Sequence, residues 1–543
     1  MVNHTDSSQH NRNRETVDVS YESTGFFSKL VADYLSVSDS LQGFYKHPVS
    51  IEGIKASIKE RKLFNTDRKL LVTELSKQYE GIHLNALQEQ NLQSLLGEDT
   101  FTVTTAHQPN IFTGPLYFIY KILHAVKLAN ELKIQLPQYD FVPVYYMGSE
   151  DADLDELGYI YLNGEKQVWE TNQTGSVGRM KVDKAFHKLI DSIEGQIGIY
   201  PFGDELVTTF KESYTIGKTI QQATLELVNN LFAAYGLLVV MPDNASLKQR
   251  FNFVVKKELE EQFSSKAVAV TVAELENNYK VQAGGRELNL FYLIDDKRER
   301  IEIASNKGFT VTSLSIDWTL DEILYELKQH PERFSANVIL RGVFQETILP
   351  NIAFIGGGGE LAYWLELKKV FEEVQVPYPV LILRNSFLLV KQTISERIEK
   401  LGFKTESFFK EETELINQLV KRSSTNKLDV GSEREAIKAV YNKIKTIASP
   451  VDPTLLLHID SLQKNTLKKI DELEKKILRA EKRRFGDERN QIAAVKKALF
   501  PNNNLQERIN NFCIFYAVDG KEWLNMIYNH SFATEQLFRI IYY

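Results

Sequence analysis

The chain has 543 residues, 43 % apolar and 25 % charged, an ordinary balance for a globular protein but too long for one hydrophobic core, so two to four domains are expected. A formal net charge of −7 argues against a general nucleic-acid binder. The single cysteine, Cys513, excludes an internal disulfide and a cysteine-based metal cluster, and fits a reducing cytoplasm.

The opening MVNHTDSSQHNRNRETVDVS has neither an apolar core nor a cleavage pattern. It predicts a disordered lead-in over residues 1–20 and no secretory signal. No uninterrupted apolar run is long enough to span a bilayer, so no membrane partner is expected. Residues 21–97 read as mainly helical, with Leu70, Leu71, Leu75 and Tyr79 at three-to-four spacing, and are expected to pack on the core that follows.

From 98 to 385 the texture changes. TFTVTTA (100–106), FVPVYYMG (141–148), LLVVMP (237–242) and VPYPVLILRN (376–385) are short apolar runs separated by helical stretches. Near-continuous apolar strands alternating with helices predict an α/β core, a parallel sheet covered on both faces. Two stretches break the alternation and read as insertions near 159–230 and 250–330. The first holds KQVWET and SVGRMKV, read as antiparallel pieces; the second holds ELNLFYLIDDKRERIEIA, a hairpin turning at DDKR.

Residues 386–505 read as helical. Ser432 and Glu435 suit a capping box, followed by Ile437, Val440, Ile444 and Ile447. Pro453 suits a helix start, after which Leu456, Ile459, Gln463, Thr466, Ile470, Leu473, Ile477 and Ala480 keep an a/d heptad register. Two such helices can pair within the chain and leave an outer face to pair between chains. The aromatic segment 506–543 is expected to fold back on the core.

In a doubly wound sheet, ligands sit beyond the carboxyl ends of the strands. The first strand ends in TAHQPNIFTGP, offering His107, Gln108, Asn110, Thr113 and Gly114 just before a helix whose free N–H groups suit phosphate or carboxylate. The second ends in GSEDADLDEL. Here Glu150 and Asp151 are candidates for a general base, with Asp153 as a further contact, whereas Asp155 and Glu156 read as residues of a helix's first turn. The run 335–369 brings Arg341 as a carboxylate clamp, Gln345, the glycines 356–359, Glu360 and Tyr363. The glycine run implies tight turns or a close ligand approach, and of these glycines Gly357, Gly358 and Gly359 are the candidate contacts. Asn385 ends the last strand. No metal motif and no G-x-S-x-G element is present, and Cys513 reads as core.

The blocks TAHQPNIFTGPLYFIYKILHAVKLA, VPVYYMGSEDADLDEL, ELNLFY, HPERFSANVILRGVFQETILPNIAFIGGGGELAYWLELKK and PVLILRNS resemble, in order, the bacillithiol-biosynthesis cysteine-adding enzymes, BshC. The family proline form SPNV…RP is replaced here by Ala336 and Gly342. The resemblance implies a Rossmann-type core with two connective insertions and an antiparallel helical coiled coil used for homodimerisation. It implies a ligase that joins the carboxyl of L-cysteine to the amine of glucosaminyl-malate. The core is similar to class I aminoacyl-tRNA synthetases, but only His107 stands where those enzymes carry two histidines and no KMSKS-like loop is found. ATP or another nucleotide, with magnesium, therefore enters by analogy alone. On this reading Glu150 or Asp151 takes the amine proton, His107 lies at the reacting centre and Arg341 meets a substrate carboxylate. Two rivals stand beside it: a ligase or nucleotidyl-transferring enzyme for another amino acid and amine, and a coiled-coil scaffold with an inactive core.

Overall fold

The computed structural model describes residues 16–281, 284–305, 308–426 and 428–543. Five strands form one all-parallel sheet: β1 (Thr100–His107), β2 (Asp140–Met147), β3 (Leu238–Val240), β4 (Asn351–Gly356) and β5 (Val380–Leu383), in the order β5-β4-β1-β2-β3. Every one of these strands is covered on both faces. Phe101, Val103, Phe141, Ile355 and Ile382 enter one apolar cluster, whereas Val142, Val144, Phe354, Leu381 and Leu383 enter another. This is the physical reason the runs lack hydrophobic alternation. Pro143 is tolerated inside β2 because β3 pairs only with Val144–Tyr146, so no ladder bond to that side is lost at residue 143.

Helix α1 (Tyr117–Gln135) follows β1 and packs on β1 and β2. Helices α2 (Val338–Ile348) and α3 (Gly358–Trp364) flank β4. The register sets His107 beside Met147 and Gly356 beside Leu383, so the strand ends share one edge. The chain runs outward from β1 to β2 and β3, then returns to the other side of β1 as β4. The reversal creates a crevice between the ends of β1 and β4, the place where such sheets bind ligands.

Two segments interrupt the alternation. In the first, Tyr159–Leu162 pairs antiparallel with Glu165–Val168. SVGRMKV differs from expectation: Val177–Arg179 is a single helical turn, and Lys181 makes only an isolated bridge to Thr219. In the second, Leu290–Ile294 and Lys297–Arg300 form the expected hairpin, with Phe334–Ala336 as a third strand.

A small sheet ties distant parts of the chain together. Phe538–Tyr542 lies between Ser386–Val390, parallel, and Thr16–Val19, antiparallel. The lead-in expected to be disordered lies outside the described residues over 1–15, but Thr16–Val19 is a strand, because the C-terminal strand completes its ladder and Arg539 holds Asp18 through two hydrogen bonds of 2.7 and 2.8 Å.

Helices α4 (Gly431–Ala448) and α5 (Leu455–Lys482) form an antiparallel pair. Arg434 meets Asp471, the Tyr441 hydroxyl lies 2.8 Å from Thr466 Oγ1, and Lys445 reaches Gln463 at 3.2 Å. The Ser432–Glu435 capping box is not formed: α4 already starts at Gly431, which places Ser432 inside the helix and gives it Val430 as a cap without a side-chain bond.

Candidate functional site

A cleft of about 840 Å³ opens at the β1–β4 crevice. Its floor is built from strand ends. His107 and Gln108 arrive on β1, Gly148 and Asp151 on β2, Gly357, Gly358 and Gly359 at the start of α3, and Arg384 just past β5. Asn337 caps α2 by accepting from Ile339 N at 2.9 Å, and this sets Arg341, one turn along, on the cleft wall. The hairpin 290–300 adds Phe291, Arg298 and Arg300 to the lining, and Arg298 meets Arg341 across Asp151.

The glycine run does not make left-handed turns, since none of Gly356–Gly359 has a positive φ. Its use is space. A Cβ at Gly357 would lie 3.3 Å from Glu360 Oε2 and one at Gly359 would meet nothing within 4 Å, so backbone alone lines this part of the cleft.

Charge dominates the lining. Lys121, Arg286, Arg298, Arg300, Arg341, Arg384 and Arg508 set seven cations against three carboxylates, Asp151, Glu156 and Glu360. In a chain of net charge −7, this concentrates positive potential where a ligand would enter.

Most of these charges are already engaged. Asp151 is gripped by Arg341, whose Nη1 donates to Oδ2 at 2.8 Å while Nη2 bonds Oδ1; Gln108 donates to the same Oδ2 at 3.0 Å, and Arg298 stands 3.6 Å from Oδ1. Burial pushes the Asp151 carboxyl up, but Arg341 and Arg298 outweigh it and hold the group below its ordinary range. Glu360 pairs with Lys121 and accepts from Gly357 N at 2.7 Å, and Lys121 also donates to Ala106 O at 2.7 Å. Arg384 is spent on Glu507 Oε1 at 2.7 Å, Asn385 O and Ser386 Oγ. Glu156 differs. It stands at the rim with no cation paired to it among the described residues, and partial desolvation, then Asp153 and Asp151, raise its pKa.

His107 lies on the cleft with Nε2 3.4 Å from the Tyr117 hydroxyl. Burial first, then Lys121 and Arg384, lower its pKa well below the ordinary value, so it is a neutral hydrogen-bonding ring at physiological pH. Tyr363 also lines the cleft, its phenol pushed up by burial. Among the described residues no group of three His, Cys, Asp or Glu side chains converges as a metal site.

Several expected contacts lie elsewhere. Glu150 is buried away from the cleft lining, on Lys248, which also reaches Asp243 at 3.3 Å and Glu332 O at 2.9 Å. The strand ends at Met147 and the chain turns at Ser149 and Glu150, with Ser149 N donating to Met147 O at 2.8 Å, so Glu150 is carried to this network and Asp151 to the cleft. Asn110, Thr113 and Gly114 are not on the cleft either. Phe112, Thr113 and Gly114 take φ of 47, 68 and 66°, folding the loop under the C-terminal segment, where Asn511 Nδ2 donates to Phe112 O at 2.9 Å and Gly114 O at 2.5 Å. Asp153 caps a short helix by accepting from Glu156 N at 3.2 Å. Gln345 is buried and donates to Glu346 Oε1 at 2.9 Å; Asn385 donates to Phe532 O at 3.0 Å. Arg341 is on the cleft, but its guanidinium fork is filled by Asp151 and is not open for a substrate carboxylate. Residues not anticipated from sequence are Lys121, Arg286, Arg298, Arg300, Arg384, Arg508 and the cleft role of Glu156.

Comparison with known proteins bears on this geometry. Residues 15–385 match the family model "Bacillithiol biosynthesis BshC, N-terminal Rossmann-like domain", and residues 387–543 match "Bacillithiol biosynthesis BshC, C-terminal coiled-coil domain". Proteins named "Putative cysteine ligase BshC" from Flavobacterium johnsoniae and Flavobacterium psychrophilum are each 38 % identical, covering 96 % of this chain and 99 % and 98 % of theirs. One from Christiangramia forsetii is also 38 % identical, covering 96 % of this chain and 98 % of its own. A solved structure titled a putative arginyl tRNA synthetase from Campylobacter jejuni covers 78 % of this chain and 98 % of its own at 14 % identity, but its TM-score of 0.19 carries no argument. With both of its domains matched end to end and relatives similar over nearly their whole length, the chain belongs to the BshC family of bacillithiol biosynthesis.

Proposed function

We propose that the protein is a carbon–nitrogen ligase that joins the carboxyl of L-cysteine to the amine of glucosaminyl-malate, forming bacillithiol in the cytoplasm. The observation that carries this reading is the cleft itself. It offers a surplus of cations for an acidic ligand, one uncommitted carboxylate at the rim and one neutral histidine on the floor. The family names of its relatives support the same assignment.

The amine must lose a proton to attack. Of the three cleft carboxylates, Asp151 is locked on Arg341 and Glu360 on Lys121, which leaves Glu156 as the group that accepts it. In that step the C–N bond forms, the bond from the acyl carbon to its leaving oxygen breaks, and the ammonium proton passes to Glu156. Neutral His107 and the free N–H groups by Gly358 and Gly359 face the acyl oxygen, where hydrogen-bond donors stabilise developing charge. Asp151 serves as the brace that fixes Arg341 and Gln108 rather than as the base. The activating co-reactant is a nucleoside triphosphate by analogy with class I synthetases, and Arg286, Arg298 and Arg300 are the residues that would hold its phosphates. Cys513 takes no part: it is buried, and burial pushes its thiol well above the ordinary value.

The protein acts as a homodimer through α4 and α5. Support comes from the outer stripe of the pair, where Val440, Ile444 and Ile447 are 55, 42 and 71 % exposed and Leu473 is 49 % exposed. Such a stripe suits a coiled-coil partner.

The test is an assay of the purified protein with glucosaminyl-malate and cysteine, set against serine and other amino acids. Product from cysteine alone supports the reading. Equal or better use of another amino acid assigns the rival ligase, and no ligand-dependent thermal stabilisation by any substrate assigns the scaffold.

A further inference from the structure

The C-terminal segment brings to the cleft one cation that has no hydrogen-bonding partner among the described residues. Arg508 lines the cleft half-buried, yet no carboxylate, carbonyl or hydroxyl among the described residues accepts from its guanidinium. The centroid of the Phe27 ring lies 5.8 Å from its guanidinium carbon, at the limit of a cation–π contact. Its neighbours Lys121 and Arg384 are both spent on Glu360 and Glu507. Burial, and then Arg384, disfavour its charged form, and Glu507 and Tyr117 offset this only in part. The other cations of the cleft without a carboxylate partner, Arg286 and Arg300, sit on the insertion wall, where Arg300 lies 4.9 Å over Phe291.

Arg508 is nonetheless held firmly. The short helix Gln506–Ile509 that carries it is pinned at three points, two on the strand Ser386–Val390 and one on Arg384. Gln506 Oε1 accepts from Leu389 N at 3.1 Å, and Glu507 Oε1 accepts from Arg384 at 2.7 Å and from Ser386 at 3.1 Å. Beyond it, Asn510 O accepts from Leu116 N at 2.8 Å and Asn511 N donates to Tyr161 O at 3.1 Å. A partly desolvated guanidinium whose helix is fixed in place and which has no hydrogen-bonding partner among the described residues is arranged for an anion that arrives with the ligand.

We propose that Arg508 is a substrate-binding residue that takes a carboxylate of the amine substrate, so that the C-terminal domain completes the site of the Rossmann-like domain. This rests on the ligase reading above. It places the two acidic ligands on separate elements, the dicarboxylate at Arg508 and the phosphorylated co-reactant at the insertion hairpin.

Calorimetric titration of glucosaminyl-malate, its dimethyl ester, free malate and inorganic phosphate into wild-type protein, Arg508→Gln and Arg508→Lys tests it. Arg508→Gln should weaken glucosaminyl-malate at least about tenfold. It should leave the ester's affinity within about twofold and the melting temperature unchanged, and Arg508→Lys should fall between. Equal loss for the diacid and the ester, unchanged binding of the diacid, or a lowered melting temperature in Arg508→Gln would overturn the proposal. Should wild-type protein bind malate or phosphate through Arg508 but not glucosaminyl-malate, the anion site stands and the ligase reading falls. Binding of none of the four overturns both.

Discussion

The parallel sheet and the helical pair treat their apolar residues in opposite ways. Along β2 every residue after Asp140 is buried, with Phe141 in one apolar cluster and Val142, Val144, Tyr145, Tyr146 and Met147 in the other. Along α4 no residue is buried, and along α5 only Ile459 and Glu481 are. The sheet satisfies itself within one chain. The pair is joined by polar contacts such as Tyr441–Thr466 and keeps its apolar stripe outside. One region is satisfied by internal complementarity and the other leaves an apolar stripe that the proposed dimer would cover, so disruptions in the two should be told apart by what they damage.

The largest expected effect lies in the core. Replacing Glu150 with Gln breaks the buried pair with Lys248 and leaves that ammonium facing only Asp243 and a carbonyl. Loss of one partner of a buried pair costs about 3–5 kcal/mol, so chemical denaturation should show a large fall in unfolding free energy. A loss under about 1 kcal/mol would mean that the pair is solvated.

Next is a change of rate without a change of fold. Glu156→Gln should lower the ligation rate by at least about a hundredfold, with the melting temperature and oligomeric state intact. Because the Glu156 pKa is raised and the base must be deprotonated, the wild-type rate should climb as pH rises through a value above the ordinary glutamate range. The variant should lose that limb. Near-normal activity in Glu156→Gln would return the residue to a helix-start role.

The third concerns the pair alone. Val440→Lys with Ile444→Lys places two charges in the exposed stripe. Light scattering should then report monomers, while the core melts at an unchanged temperature. Ile470→Lys with Leu473→Lys should do the same. A dimer that persists in both variants places the interface elsewhere.

The smallest is a shift in pH dependence. The Asp151 carboxyl is depressed in the folded state, so its contribution to stability is present above the ordinary carboxylate range and is lost as pH falls below it. The stability gap between wild-type protein and Asp151→Asn should be widest near neutrality and should close in acid. A gap independent of pH would mean that Asp151 acts through packing.

The sheet was legible because continuous apolar runs such as FVPVYYM leave no solvent face, and only a doubly covered parallel strand accommodates that. The strand NIAFI is short and merges into glycines, so it is legible as an apolar run with a glycine loop at its end more than as a full-length strand. At the site, strand-end position pointed to His107, Gln108, Asp151 and the glycines, all of which line the cleft. It misled at Glu150 because the strand ends at Met147 and the turn after it carries Glu150 away from the cleft. It misled at Asn110 and Thr113 because their loop is covered by Asn511, some four hundred residues away in sequence. Arg508 carries no local signal for the same reason: its place on the cleft exists only once the C-terminal segment has docked. Arg384, directly after β5, stands at a strand end as Asn385 does, and of the two it is Arg384 that lines the cleft. Glu156 was set aside because acidic residues favour a helix's first turn, and a position in the first turn does not exclude a second role at the rim.

The most direct measurement is made in the organism that carries this gene. Deleting it should abolish bacillithiol and cause glucosaminyl-malate to accumulate. The wild-type gene should restore the thiol, and the Glu156→Gln gene should not, although its protein is present at normal level. Bacillithiol that persists after deletion, or a precursor pool that stays flat, would contradict the assignment of the cationic cleft to this ligation.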